Sequence, residues 1–535
     1  MNTLTHKPLQ YASSNAVWAW LLYAVGAVIL SWPWLELGYL FAPDEYMHVY
    51  NACILQEVFD NAMGSWYGIN FFPEPNLFGH VWLYLAGKVM PYSVAEKFFV
   101  FIIAAGNGYA FLSAGGGWPT TPTKLMWRTT LALLALGLWL SASWQMGFVN
   151  YLTGMVALLV ALQHTAGTSR LRGLAVASWA VIIYFCHPLA LLFFLGTVAL
   201  RELLNRNLID ERMLPRAGAW GSWFRDIALW FVIPVVLLTV YICTHSEVST
   251  WAGASPWRLL GLVYFHNDIA LFAASELPLA QGWMALVAAA ILYGGVRAFQ
   301  SGGAQLTFAA VGGIVLLAAI LLVPDYLAGG ALIHQRLMPF WFIWLLWCAR
   351  AYAPSMVPKG VLVAALIVVL GLALGLTAYR RPVLAKAEDY FTELREFSKL
   401  IPVGSTVLPA SVSAHGLSSG NTLSRKPILH HFAGIMGCER QLVILDNYEA
   451  FVGYFPLKWK STERDPFKIM TRGIEAHPAQ IPDTAAAWLD NHVDYVLTLG
   501  PLDKAFEDST AAWLLPHLEV AATSDTGIYT LARVR

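Results

Sequence analysis

Long apolar runs separated by short polar turns fill the first 380 residues of the chain, and a more even mixture of polar and apolar positions follows. The first run, residues 16–40, is nearly uncharged, and about 20 apolar residues suffice to cross a bilayer. Similar runs at 96–115, 128–143, 149–165, 173–187, 189–203, 226–244, 282–298, 305–323, 338–351 and 360–379 predict ten further spans. Two stretches between the first and second spans differ. Residues 44–60 are amphipathic, with Tyr46, Val49, Tyr50, Cys53 and Ile54 opposite Asp44, His48 and Asn51. Residues 77–90 are apolar but too short to span, and they carry His80 and Lys88. Both read as helices lying in the interface, joined by the proline-stiffened turn Asn70-Phe71-Phe72-Pro73-Glu74-Pro75-Asn76.

Charge decides between this arrangement and one in which 77–90 crosses. With eleven spans and a cytoplasmic N-terminus bearing Lys7, the loops with Lys124 and Arg128, Arg170 and Arg172, Arg206, Arg212 and Arg216, Arg297, Arg350 and Lys359 all face inward. A twelfth span would turn the basic 201–225 loop outward, against the positive-inside rule. The first run lacks a cleavage site and reads as a signal anchor. After Arg380-Arg381-Pro382 the pattern becomes that of a soluble domain. The expected division is a polytopic membrane part, 1–384, and an extracytoplasmic α/β domain, 385–535. In the latter, helices at 387–400 and 484–491 and strands at 406–408, 441–445, 493–499 and 526–531 are expected.

Composition sharpens the class. The 535 residues are 58% hydrophobic and 12% charged, with mean hydropathy +0.56, which marks an integral membrane protein. Net charge is zero with no basic run, so nucleic acid is not an expected partner. Many of the 23 Trp and 22 Tyr flank apolar runs, as interface anchors do. The five cysteines show no metal-ligand spacing. Cys186, Cys243 and Cys348 lie in apolar runs; Cys53 and Cys438 face the same compartment in this topology, and nothing in the sequence shows that they meet.

Candidate chemistry gathers where the first span ends. In Pro43-Asp44-Glu45-Tyr46-Met47-His48 the proline ends one helix, and two carboxylates begin the next. Asp44, Glu45 and His48 fall on one helical face. They read either as a grouped site at the membrane surface or as ordinary helix capping. His187, before Pro188, joins the same outward cavity or satisfies a helix end. Arg336, beside His334 and on the outward side, runs against the positive-inside bias. It binds an anion, anchors at the interface, or pairs with Asp325. Asp446-Asn447-Tyr448-Glu449 and His430-His431 are explained equally by a solvated loop or a ligand site. No nucleotide-binding, serine-hydrolase or zinc-protease motif is present.

An outward Asp-Glu after the first span, two flat helices, many short spans and an α/β tail together resemble the GT-C glycosyltransferases. Pro43-Asp44-Glu45 through Tyr50, then Pro73-Glu74-Pro75-Asn76-Leu77, is similar to the first outer loop of bacterial relatives of the protein mannosyltransferases and aminoarabinose transferases. The stretch Gly147 to Leu152 and Arg336 with Pro339-Phe340 resemble bacterial members too. The resemblance implies a multi-pass protein of the bacterial inner membrane. It would invert a sugar centre, using a polyprenyl-phosphate-linked donor and a glycan, lipid or protein acceptor. It puts Asp44 in the role of base, with Glu45 and His48 assisting. Arg336, His187, Glu74, His80 and His334 become substrate-binding candidates. If a divalent Mg or Mn takes part, Asp44 and Glu45 would hold it. A lipid-linked-sugar transporter and a non-catalytic assembly or sensor protein are the other classes. The absence of mid-span charges speaks against the first.

Overall fold

The computed structural model describes residues 14–57, 62–70, 73–113, 121–165, 171–206, 220–244, 257–326, 330–353, 357–411, 416–417, 421–422, 429–452, 455–470, 480–506 and 510–535. Lys7, Phe71, Phe72, Arg170, Arg212 and Arg216 lie outside the described residues. Helices stand at all eleven predicted places: Ser14–Leu35, Lys97–Leu112, Pro122–Trp139, Val149–His164, Arg172–Cys186, Pro188–Asn205, Trp220–Thr244, Leu277–Ser301, Gly303–Leu322, Ile333–Ala349 and Lys359–Ser398. Seven of them, some with an adjoining turn, are long and apolar enough to cross a membrane by length and composition. The other four are shorter or sit deep in the bundle. Pro122–Trp139, for example, packs against Ser14–Leu35, Lys97–Leu112 and Lys359–Ser398. A helix shielded from lipid tolerates polar neighbours when they are satisfied. Asn107 is such a neighbour, donating to the Ala132 carbonyl at 2.8 Å and accepting from the Trp139 indole at 3.1 Å.

Both short helices of the first loop form, as Pro43–Glu57 and the ten-residue Leu77–Ala86. The first does not present a polar face to water: residues 45–54 are all buried. A second element covers that face. The helix Ala433–Arg440 of the C-terminal region crosses it closely enough that a Cβ on Gly434 would lie 2.7 Å from the Tyr46 carbonyl. Only glycine permits such an approach. Polar contacts then lock the seam. The Tyr50 hydroxyl donates to the Leu442 carbonyl at 2.7 Å and accepts from the Ile444 amide at 2.9 Å. Asn447 donates to the Asn51 side-chain oxygen at 2.7 Å. Tyr67–Ile69 pairs antiparallel with Leu457–Trp459, adding a strand contact between loop and domain. Cys53 and Cys438 are joined in a disulfide across the same seam.

The C-terminal region is α/β, as expected. Its sheet runs in the order Val443–Ile444, Thr406–Ser411, Tyr495–Leu499, Tyr529–Val534, Leu518–Thr523; the first three strands are parallel and the last two antiparallel. The edge strand Leu518–Thr523 has no counterpart in the sequence reading. Its residues are mostly exposed and do not alternate, so periodicity had nothing to detect. The predicted boundary at 384/385 falls inside one unbroken helix, Lys359–Ser398. Arg380 fixes that helix from within, donating to Glu276 at 3.2 Å and to the Ile269 carbonyl at 2.6 Å. Glu276 in turn accepts from the backbone amides of Phe272 and Ala273.

The disulfide predicts a measurable clamp. Replacing Cys53 and Cys438 together by serine should lower the unfolding midpoint of the detergent-purified protein, by about 2–4 kcal/mol in stability terms. Wild type should yield no labelled thiol at either position until reduced. Labelling of both without reductant would remove the bond.

Candidate active site

A cavity of about 320 Å³ opens where the first-loop helix, the spanning helices and the C-terminal domain meet. Pro43–Glu57 brings Asp44 and His48 to its wall. The 141–149 turn brings Gly147 and Phe148, the junction of Arg172–Cys186 and Pro188–Asn205 brings His187, and Ile333–Ala349 brings Arg336. The domain supplies His430, His431, Tyr448 and Phe455. Gly147 is what lets the turn come this close. It sits at φ +85°, and a Cβ there would stand 2.8 Å from the Glu45 amide nitrogen and 3.0 Å from the Asp44 Cβ. The Met146 carbonyl accepts from the Asp44 amide at 3.2 Å, fixing the start of the helix.

Asp44 is half-buried. Burial pushes its carboxyl up to about 6, against the pull of His48 and Arg336 and a hydrogen bond from Tyr448. A carboxylate poised there is ionised at neutral pH yet basic enough to take a proton. Arg336 lies with its guanidinium 3.8 Å from the centre of the Phe148 ring and its Nη1 3.2 Å from His187 Nε2. The predicted alternative, an ion pair with Asp325, does not form: Asp325 pairs with His334 instead. The Leu189 amide donates to His187 Nδ1 at 3.2 Å. A neutral imidazole has a single lone pair, so its Nε2 carries the proton and meets the Arg336 N–H head-on. Burial, and after it the adjacent arginine, disfavours a charge on the ring and keeps it neutral. Two donors thus converge on one point, and the Arg336 Nε makes no hydrogen bond. An anion between them would satisfy both.

Four of the predicted residues therefore share the cavity: Asp44, His48, His187 and Arg336. The other four do not line it. Glu45 is buried behind His48, at 3.2 Å from its Nδ1. His80 is buried and faces Glu449 at 2.9 Å. Glu74 is buried next to Pro73, whose carbonyl accepts from Tyr184 at 2.9 Å. His334 pairs with Asp325. Asp44 and Glu45, the residues expected to hold a metal if one takes part, are not in a ligand cluster among the described residues. The group with ligand spacing there is His48, His80 and Glu449.

Glu449 is the residue the sequence reading underrated. A solvated loop was one explanation for Asp446–Glu449, but Asp446, Asn447 and Glu449 are buried. His48 Nε2 lies 3.4 Å from one Glu449 oxygen, and His80 and Asn51 both bond the other. Burial would raise this carboxyl, but the imidazoles of His48 and His80 outweigh it and hold it below the usual range. Burial likewise works against a charge on His48, yet Glu449, Glu45 and Asp44 lift it to about 9. His431 bonds Asp446 at 3.1 Å and stacks on Tyr448. No local spacing announces these partners, which lie hundreds of residues away.

The chain is a bundle of apolar helices roofed by an α/β domain over its first loop. The structure of ArnT from Cupriavidus metallidurans in the apo state is similar, at 13% identity and a TM-score of 0.52, over 97% of this chain and 98% of that one. ArnT from the same organism bound to undecaprenyl phosphate gives 12% identity and a TM-score of 0.49, over the same shares. No protein-family model matches the chain, and no curated protein does. The likeness is one of fold.

The Gly147 approach yields a direct test of how the cavity is assembled. Gly147→Ala should cost at least about 1–2 kcal/mol for the left-handed backbone alone. It should also displace the start of the Asp44 helix. A variant as stable as wild type would show that the turn yields without strain.

Proposed function

We propose that the chain is a membrane glycosyltransferase that takes a sugar from a polyprenyl-phosphate donor and passes it to an acceptor hydroxyl or amide with inversion. The observation that carries this reading is that a raised-pKa carboxylate, Asp44, shares a cavity with two convergent donors, Arg336 and His187. Phosphate is a leaving group that such donors stabilise. In the proposed step the acceptor oxygen or nitrogen attacks the anomeric carbon, and the carbon–oxygen bond to phosphate breaks. The electron pair leaves with the polyprenyl phosphate, held by Arg336 and His187. Asp44 takes the acceptor proton. Tyr448 and His48 orient Asp44, and Glu45 acts through His48.

The bilayer carries the donor lipid in this proposal, and a glycan, lipid or protein presents the acceptor; nucleic acid has no role. We place the cavity and residues 385–535 on the extracytoplasmic side of a bacterial inner membrane, with the N-terminus inside. The Cys53–Cys438 disulfide supports that placement, since such bonds persist in oxidising compartments.

Asp44→Asn keeps the side chain's size, so folding and insertion should change little. Sugar transfer by the purified protein should fall by a factor of roughly 10² to 10⁴. The wild-type pH profile should carry an ascending limb near 6, because the base must be ionised: below that value the rate should drop about tenfold per unit. The charged groups facing Asp44 are His48, Arg336 and Glu449. Equal rates in wild type and Asp44→Asn would take Asp44 out of the chemistry. Absence of transfer by wild type across a panel of polyprenyl-phosphate sugars would end the transferase reading.

Arg336→Ala should weaken use of the donor far more than it weakens the fold, and Arg336→Lys should restore only part, lacking the guanidinium fork. Donor dependence measured at fixed acceptor decides this. An unchanged donor KM in Arg336→Ala would reduce the arginine to a packing partner of Phe148.

A further inference from the structure

We propose that His48, His80 and Glu449 form a binding site for a zinc-class divalent transition metal, which clamps the C-terminal domain onto the first loop. This goes beyond the transferase reading and does not depend on it. The three side chains come from three separate elements: His48 from Pro43–Glu57, His80 from Leu77–Ala86 and Glu449 from the domain helix Tyr448–Val452. One ligand atom of each lies within 4.8 Å of the others, and all three residues are buried. The His48 and His80 rings meet edge to face with centroids 4.6 Å apart.

Hydrogen bonding decides which nitrogens face inward. His80 Nδ1 stands 3.3 Å from the Asn76 carbonyl, which can only accept. His48 Nδ1 stands 3.2 Å from the Glu45 carboxylate, also an acceptor. Both Nδ1 atoms therefore carry protons, and in neutral rings both Nε2 atoms are bare. Both Nε2 atoms face the oxygens of Glu449, so each contact needs either a proton or a shared cation between nitrogen and oxygen. Lone pairs aimed at a carboxylate repel unless a cation lies between them. An outer carbonyl or carboxylate that fixes the distal nitrogen of a histidine is the arrangement metal-binding histidines use. Oε1 of Glu449 is fully buried and makes no hydrogen bond, so one ligand position stands ready.

The donor set identifies the kind of ion. Two imidazoles and one carboxylate suit zinc and its neighbours, whereas magnesium prefers an all-oxygen shell. Charge also balances: a divalent ion with Glu449 and Glu45 sums to zero, with both imidazoles neutral. The rival occupant is the proton, since two imidazolium rings would balance the same two carboxylates. A metal would displace those Nε2 protons, so retention of the ion by the protein separates the two occupants.

The test uses the full-length protein in detergent, free of any histidine tag and dialysed against metal-free buffer. Incubation with Zn²⁺ and removal of excess should leave about one equivalent by elemental analysis. Co²⁺ should replace it with the visible absorption of a four-coordinate nitrogen–oxygen site. His80→Gln and Glu449→Gln should each weaken binding at least about 100-fold. Glu45→Gln, which acts only by holding His48, should weaken it about 10- to 100-fold. Chelation should lower the unfolding midpoint of wild type but not of His80→Gln. Monodisperse wild type with the Cys53–Cys438 bond intact that retains neither metal overturns the proposal and leaves the triad to protons. Retention at full affinity by both His80→Gln and Glu449→Gln overturns it equally, by placing the ion elsewhere. These readouts register metal content and stability, so failure of sugar transfer would not imitate either outcome.

Discussion

A carboxylate shut away from water has to be neutralised where it lies, and Glu449 is fully buried. Leaving such a charge without partners costs several kcal/mol, and removing one member of a buried pair typically costs about 3–5 kcal/mol. Among the described residues, Glu449 finds its side-chain partners on the first loop, in His48, His80 and Asn51. The domain can therefore bury this residue only when docked on that loop. The domain side of the cavity follows from the docking. Tyr448, the residue before Glu449, reaches Asp44, and His431 stacks on Tyr448.

Docking also explains why the helix Pro43–Glu57 has so mixed a sequence. Tyr46, Val49, Tyr50 and Ile54 give it the stripe of an interfacial helix, while Asp44, His48 and Asn51 look like its wet side. Both sides are buried, the polar one against polar groups of the domain. A buried polar network demands complete pairing, which fixes register in a way apolar packing does not. Tyr50 illustrates this, its hydroxyl both donating to and accepting from the backbone of the strand region 442–444. Close contact then needs glycine rather than a larger residue at Gly434 and Gly437, which face the Tyr46 backbone and the Tyr50 ring.

The spanning helices were legible because length and apolarity are local properties of a sequence. The first-loop carboxylates were legible because Pro43-Asp44-Glu45 follows directly on an apolar run, and His187 and Arg336 because each broke a local expectation. What stayed hidden is long-range pairing. Helical spacing puts Glu45 on a face with Asp44 and His48 but does not say what covers it: Glu45 is buried against His48 and does not line the cavity. Glu74, His80 and His334, candidates for substrate binding, do not line the cavity; His80 faces Glu449 and His334 pairs with Asp325. The edge strand Leu518–Thr523 and the crossing of the 384/385 boundary by one helix escaped for a related reason. Neither leaves a periodic trace in the residues themselves.

The division of labour within the cavity follows the elements that build it. Arg336 is on a helix of the membrane bundle, and His187 joins two others, so the convergent donors belong to the membrane part. Phe148 and Tyr151 complete that side, one stacked on the guanidinium and the other set edge-on to His187. Asp44, by contrast, stands at the seam, with Tyr448 from the domain as its hydrogen-bond partner. On the proposed reading the lipid-borne phosphate meets only residues of the bundle, where its chain can remain in the bilayer. The acceptor must then approach along the seam, between loop and domain. This gives the C-terminal domain a physical task that a bare anchor would not have: it forms the acceptor wall, with Tyr448 holding the carboxylate that takes the acceptor's proton.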